Sequence, residues 1–239
     1  MVAANRDEFH ARPAAPLAPW TDIAGVVGGR DLQADGAWFA VDAQRRVRHR
    51  HQLPRVRPPP PQRAVARRPD PRATSPGTRA PADYLRALET DAPGYAGFNL
   101  LLADRDSLWY ASNRADQFAR ELPPGIYGLS NEFLDTPWPK LVRVRARFEA
   151  PAAIGRVRRS ARRWPPTCSR CWPTARRRRP TALPPGDLSP EWARKLSAPF
   201  VLDPGYGTRC STVLTISDDG ALRDHRTPLR CRRRAAGTV

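Results

Sequence analysis

The sequence predicts an α+β fold of antiparallel sheets packed with helices, and three observations carry that expectation. Apolar runs are joined by tight turns, segments of helical spacing lie between them, and Arg/Pro-rich stretches without any period interrupt the pattern. In chain order, Pro81-Ala-Asp-Tyr-Leu-Arg-Ala-Leu-Glu89 opens a helix, with Pro in the first turn and Tyr84, Leu85 and Leu88 on one side. Gly97-Phe-Asn-Leu-Leu-Leu-Ala103 reads as a buried strand, Asp104 to Ser107 as a turn, and Leu108-Trp-Tyr-Ala-Ser112 as the hairpin partner. Gly125-Ile-Tyr-Gly-Leu-Ser130 reads as a further strand ending at Asn131. A helix begins around Thr136 to Pro139 and runs towards Phe148, with Leu141, Val144 and Phe148 at helical spacing. Ser211-Thr-Val-Leu-Thr-Ile-Ser217 is a β-branched strand, Asp218-Asp-Gly220 a hairpin turn, and Ala221-Leu-Arg223 the start of a return strand.

The chain has 239 residues, enough for one good core, and a net charge of +18 from 41 Lys and Arg against 23 Asp and Glu. Taken alone, that excess points to a polyanion partner. The finer composition argues otherwise. Only Lys140 and Lys195 are lysines, and 28 residues are proline. Arginine, proline and alanine without lysine is what GC-rich coding DNA yields in any reading frame. The charge is also concentrated. Residues 45–80 carry +10, 150–180 carry +10 and 223–239 carry +5, which leaves −7 on the rest.

These three stretches are expected to be disordered. Arg57-Pro-Pro-Pro-Pro-Gln-Arg63 has no strand or helix period and lacks backbone donors, and Arg156 to Pro180 has too little apolar surface to offset chain ordering. They read as segments translated out of frame, with nucleic-acid-binding arms and lineage-specific insertions as the alternatives. The domain expectation is therefore one unit over residues 1–222, interrupted at 45–80 and 150–180, followed by a basic tail at 223–239.

Four cysteines are too few for a disulfide scaffold, and Cys168-Ser-Arg-Cys171 has no regular second half-site, so no metal and no cofactor are expected. His49 and His51 alternate with Arg48 and Arg50 and are expected to be solvated. The seven Trp are mostly expected in core or hairpin positions. No secretory signal and no membrane-spanning run is visible, and the expected location is the cytoplasm.

Eight motifs occur in order: Val2-Ala-Ala-Asn-Arg-Asp-Glu-Phe9, Ala11-Arg-Pro13, Gly28-Gly-Arg-Asp-Leu32, Gly36-Ala-Trp38, Gly97-Phe-Asn-Leu100, Tyr127-Gly-Leu-Ser-Asn131, Asp135-Thr-Pro-Trp-Pro-Lys140 and Pro204-Gly-Tyr-Gly-Thr-Arg209. Together they resemble the NRDE family, also called transport and Golgi organisation protein 2-like. The resemblance covers roughly residues 1–44, 81–149 and 181–222 and vanishes in the basic stretches. The family is similar to the N-terminal-nucleophile hydrolases, which implies an αββα sandwich of antiparallel sheets, here degraded. It also implies an amidohydrolase acting on carbon–nitrogen bonds or a ligand-binding relative, with a small-molecule ligand or amide substrate as partner. Specific nucleic-acid binding and a membrane span are not expected.

In such hydrolases the first residue of the mature chain attacks an amide carbonyl while its own α-amine acts as base. Family members begin Met-Cys and run through an apolar strand before the NRDE motif. Here that strand is absent and Val2 has no nucleophilic atom, so this chain is expected to be inactive. The resemblance places four site residues. Arg6 and Asp7 stand on the strand facing the nucleophile, Asn131 is the amide donor to an oxyanion, and Arg209 is an active-site guanidinium. An ordinary ion pair for Arg6 and Asp7, a turn role for Asn131 and a solvated charge for Arg209 are the structural alternatives.

Resequencing the gene with its upstream bases tests the frame reading. The expected result is patterned, less basic sequence in another frame across 45–80 and 150–180, with a Met-Cys-apolar strand upstream. Confirmation of the frame as written makes the basic arms genuine and polyanion binding the leading function.

Overall fold

A computed structural model describes residues 1–33, 36–52, 79–149, 188–216 and 222–228. Two antiparallel sheets form its centre. The smaller has strand order β1-β9-β10, from β1 (Val2–Phe9), β9 (Tyr206–Ile216) and β10 (Leu222–Pro228). The larger runs in simple sequence order from β2 (Ala14–Pro19) through β3 (Val26–Asp31), β4 (Gly36–Asp42), β5 (Val47–Gln52), β6 (Phe98–Ala103) and β7 (Leu108–Ser112) to β8 (Ala119–Glu121). Three α-helices are described: α1 (Pro81–Asp91), α2 (Pro139–Glu149) and α3 (Pro190–Leu196).

The alternation of side chains along each strand sets the layers. On one face of the small sheet, Val2 and Leu214 pack against Phe39, Val41 and Val47 of the large sheet. On its other face, Tyr206 meets the cluster of Trp138, Leu141, Ala193 and Leu196 contributed by α2, α3 and the turn before α2. Helix α1 covers the outside of the large sheet, where Leu85 and Leu88 pack on Phe98, Leu100 and Ala111. Each fully buried side chain of this size contributes about 1.5–3 kcal/mol. The order of layers is thus helix, large sheet, small sheet, helices.

Local sequence chemistry explains several ends. Pro81 sits at the start of α1, where its missing N–H costs nothing. Ser189 caps α3, its hydroxyl accepting from Trp192 N at 3.3 Å. The β6–β7 turn is closed by the Asp104 carboxylate, which accepts from the backbone of Asp106 and Ser107 at 3.0 and 2.7 Å.

The expected helices at 81 and towards 148 are present, as are the 97–112 hairpin and the strand through 211–216. The turn expected at 218–220 lies outside the described residues, as do Cys168 and Cys171. One expected strand does not form. Residues 125–130 join no ladder, because Gly128 spends both backbone groups on Asp135: its N–H donates to Asp135 Oδ1 at 2.8 Å and its carbonyl accepts from Asp135 N at 2.7 Å. Asp135 holds a positive φ of 62° in this closure.

The basic stretches also differ from expectation where they are described. Residues 47–52 form β5, a central strand of the large sheet, and the ladder of β10 extends to Pro228, past the expected start of the tail at 223. Residues 53–78, 150–187 and 229–239 lie outside the described residues. Within β5, His49 is not solvated. Strand alternation turns it inward beside Phe39, 5.9 Å between rings, and burial pulls its pKa down to about 4.

Arg48 faces the opposite way, paired across the ladder with Leu102 on the side covered by α1. It is 5% exposed, and its Nε and Nη1 have no hydrogen-bond partner among the described residues. Each such buried donor costs about 1–3 kcal/mol. The position is shaped for an apolar side chain. We expect Arg48→Leu to raise the urea midpoint with unchanged m-value, by a shift worth about 1–3 kcal/mol of stability; a loss of stability would show that the guanidinium is needed.

Candidate functional site

Two of the three register shifts among the described residues, one in the small sheet and one in the large, define the site. In the small sheet Arg6 pairs with Cys210 but Asp7 pairs with Thr208, so β9 carries one extra residue, Arg209. In the large sheet Gly29 pairs with Phe39 but Arg30 pairs with Ala37, so β4 carries the extra residue Trp38. A β-bulge re-aims the side chain it carries. Here the bulged Trp38 side chain is brought to Arg6, and the other bulge begins at Arg6 itself. The Arg6 guanidinium lies 5.7 Å from the centre of the Trp38 ring, and the charge of Arg209 acts on it directly.

Gly29 makes this possible. A Cβ there would fall 2.0 Å from Trp38 Cε2, so the indole lies against the bare backbone of β3. Burial and the neighbouring Arg209 charge both lower the pKa of Arg6, although it stays charged under any ordinary condition. Among the described residues, the Arg6 guanidinium makes no hydrogen bond and no ion pair. Its acidic neighbours are taken. Arg12 bonds Asp31 at 2.7 Å and reaches Glu8 at 3.5 Å. Arg209 Nη1 donates to the carbonyls of Phe9 and Arg12, with no carboxylate partner among the described residues.

Asp7 lies on the other face of the same sheet, beneath α2. Its Oδ1 accepts from the Thr208 hydroxyl at 2.6 Å, and that hydroxyl in turn accepts from Val201 N at 2.9 Å. Its Oδ2 stands 3.9 Å from Lys140 Nζ. Lys140 also donates to Asn131 Oδ1 at 3.5 Å, and Asn131 Nδ2 donates to the Leu196 carbonyl at 3.3 Å. The ends of α2 and α3 are thereby tied to β1. Asn5 adds to the tie, donating to the Pro199 carbonyl at 2.7 Å and accepting from Ser211 at 2.6 Å.

The four residues singled out from the sequence therefore fall into two groups. Arg6 lies beside Trp38, with the Arg209 charge close enough to lower its pKa; Asp7 and Asn131 meet through Lys140 on the helix side. Two participants were missed. Trp38 stands in a motif whose tryptophan reads as core; the glycine pair before it is the signal, since glycine inside a strand marks a close approach. Lys140 stood in another motif, and it is one of just two lysines in the chain. Among the described residues no group of three or more His, Cys, Asp or Glu is placed to hold a metal.

The buried Lys140 amine has its pKa lowered from 10.5 by desolvation, partly offset by Asp7. Folding thus disfavours the bound proton, the unfolded chain holds more protons, and stability rises with pH in the window below 10.5. Lys140→Met is expected to flatten that rise relative to the parent, measured by chemical denaturation between about pH 8 and 10.5. An identical slope in both proteins would show that Lys140 is not the titrating group.

No helix among the described residues is long and apolar enough to cross a membrane. Compared with known proteins, residues 1–224 match the family described as Transport and Golgi organisation 2. The Transport and Golgi organization protein 2 homolog of Bos taurus is 30% identical over 235 residues, covering 92% of this chain and 83% of the relative. The Homo sapiens homolog is 27% identical over 238 residues, with the same two coverages. A Mus musculus homolog is 32% identical over 149 residues; that match spans 59% of this chain and about half, 53%, of the relative. With the motifs in order and a family match running almost from end to end, the chain belongs to the Transport and Golgi organisation 2 family.

Proposed function

We propose that this chain binds a small molecule between its two sheets, against Arg6, on a scaffold of the N-terminal-nucleophile hydrolase type, and that it binds without hydrolysing. The observation that carries the reading is the convergence of two bulges, from different sheets, on one half-buried guanidinium. Bulges gather at functional sites because they aim a side chain where regular alternation does not. The stacking of helix, sheet, sheet and helices supports the hydrolase-type scaffold.

Hydrolysis needs a nucleophile and a base within hydrogen-bond reach of a carbonyl. A guanidinium polarises a carbonyl oxygen but does not attack it, and the Cys210 thiol opposite Arg6 needs a base to do so. The carboxylate expected to serve the reaction, Asp7, is engaged by Thr208 and Lys140 on the far side of the sheet from Arg6. The Thr208 hydroxyl is engaged in both directions. Polyanion binding, the alternative reading of the composition, draws on residues outside the described ones.

The test is thermal stabilisation by a panel of N-acyl amino acids and their amides, with intact-mass analysis alongside. We expect stabilisers whose dissociation constant rises at least about tenfold in Arg6→Met, a loss near 1.4 kcal/mol, and no acyl adduct. An acyl adduct would overturn binding without hydrolysis. Stabilisation indifferent to Arg6→Met, or none from any compound, would overturn the site.

A further inference from the structure

We infer that the ligand of the Arg6 site carries a carboxylate, taken up between Arg6 and Arg209, with the body of the molecule along Trp38. This rests on the reading of Arg6 as a ligand site and adds the chemical class of what enters it. Several polar groups on this face lack a partner among the described residues. Arg6 uses none of its N–H groups among the described residues. Trp38 Nε1 is buried and has no acceptor. Thr212, on the same face, pairs with Ala4 and lies diagonally across the ladder from Arg6; it is 2% exposed and its hydroxyl also lacks a partner among the described residues. Arg6 and Trp38 Nε1 can only donate, and donors left in this state call for an acceptor-rich group.

The charge balance narrows the class. Around the site stand three guanidinium groups, Arg6, Arg12 and Arg209, two carboxylates, Glu8 and Asp31, both held by Arg12, and the Cys210 thiol opposite Arg6 in the ladder. One positive charge remains uncompensated, and Arg6 and Arg209 repel each other. A single carboxylate cancels that excess and offers two oxygens to the planar fork of a guanidinium. A phosphate dianion overshoots it, and a neutral amide leaves the repulsion in place. The Trp38 ring, pressed on Gly29, supplies a flat wall for an apolar or planar body.

The experiment uses the full chain and isothermal titration calorimetry at fixed ionic strength, with N-benzoylglycine as probe and its uncharged carboxamide as comparison. The acid is expected to bind about tenfold or more tightly than the amide. That preference is expected to vanish in Arg209→Gln, and to shrink in Arg6→Lys, which keeps the charge and loses the fork. Equal binding of acid and amide, both lost in Arg6→Met, would overturn the carboxylate and leave the ligand site standing. A preference for the acid that persists in Arg6→Met and Arg209→Gln would come from the overall positive field and would overturn both. So would absence of binding by either compound. Should Arg6→Met fail to fold, Trp38→Phe replaces it, since it keeps an aromatic wall and removes the Nε1 donor; loss of acid preference there supports the assignment.

Discussion

Strand β9 has one residue more than β1 has places for. Everything at the candidate site follows from where that surplus is absorbed. Up to Arg6 the two strands run in one register, with Val2 opposite Leu214 and Arg6 opposite Cys210; beyond it they run in another, with Asp7 opposite Thr208 and Phe9 opposite Tyr206. A one-residue slip elsewhere in the strand would turn its apolar set to the wrong side. Here the slip is confined to Arg209, and the alternation survives on both sides of it. Val2 stays in the core between the sheets and Phe9 stays with Trp192 and Tyr206 under the helices. The Asp7–Thr208 hydrogen bond lies directly beside the surplus residue, so it fastens the new register where it begins.

The treatment of arginine differs sharply across the molecule. Arg12 and Arg46 each reach a carboxylate at 2.7 Å, and Arg30 lies over Trp20 while bonding Asp22. These are charges placed where geometry answers them. Arg48 sits in the central strand of the larger sheet beneath α1, with no ion pair among the described residues. Arg12, Arg30 and Arg46 lie at edges and rims; β5 introduces two arginines, Arg48 and Arg50, into a layer otherwise filled by leucine, phenylalanine and alanine. That contrast agrees with the abrupt change of composition near residue 45.

Local patterns were legible from the sequence, and pairings at long range were not. Helix α1 and the β6–β7 hairpin are written in neighbouring residues: a proline at the first turn, leucines at helical spacing, an aspartate that closes the turn. The expected strand at 125–130 has the same apolar character, but Asp135, several residues on, captures the backbone of Gly128. Arg6 and Asp7 are adjacent, and adjacency on a strand sends side chains to opposite faces. The motif nonetheless invited reading them as a pair. Neither bulge leaves a mark in one strand alone, because a bulge is a mismatch between two strands. Trp38 and Arg209 become site residues only when both partners are known.

The pairing of β1 with β9 joins residues about two hundred positions apart; the Asp7–Thr208 bond spans 201. A ribosome therefore releases the first strand long before its partner exists. The larger sheet pairs its strands in sequence order, and apart from the β5–β6 ladder it closes early and locally. The smaller sheet has to wait for the last thirty or so residues of the described chain, with β1 lacking its ladder partner until then. In a growing chain the Arg6 site is thus the last part to be assembled, and any interruption of synthesis before β9 leaves a nearly complete sheet with no site at all.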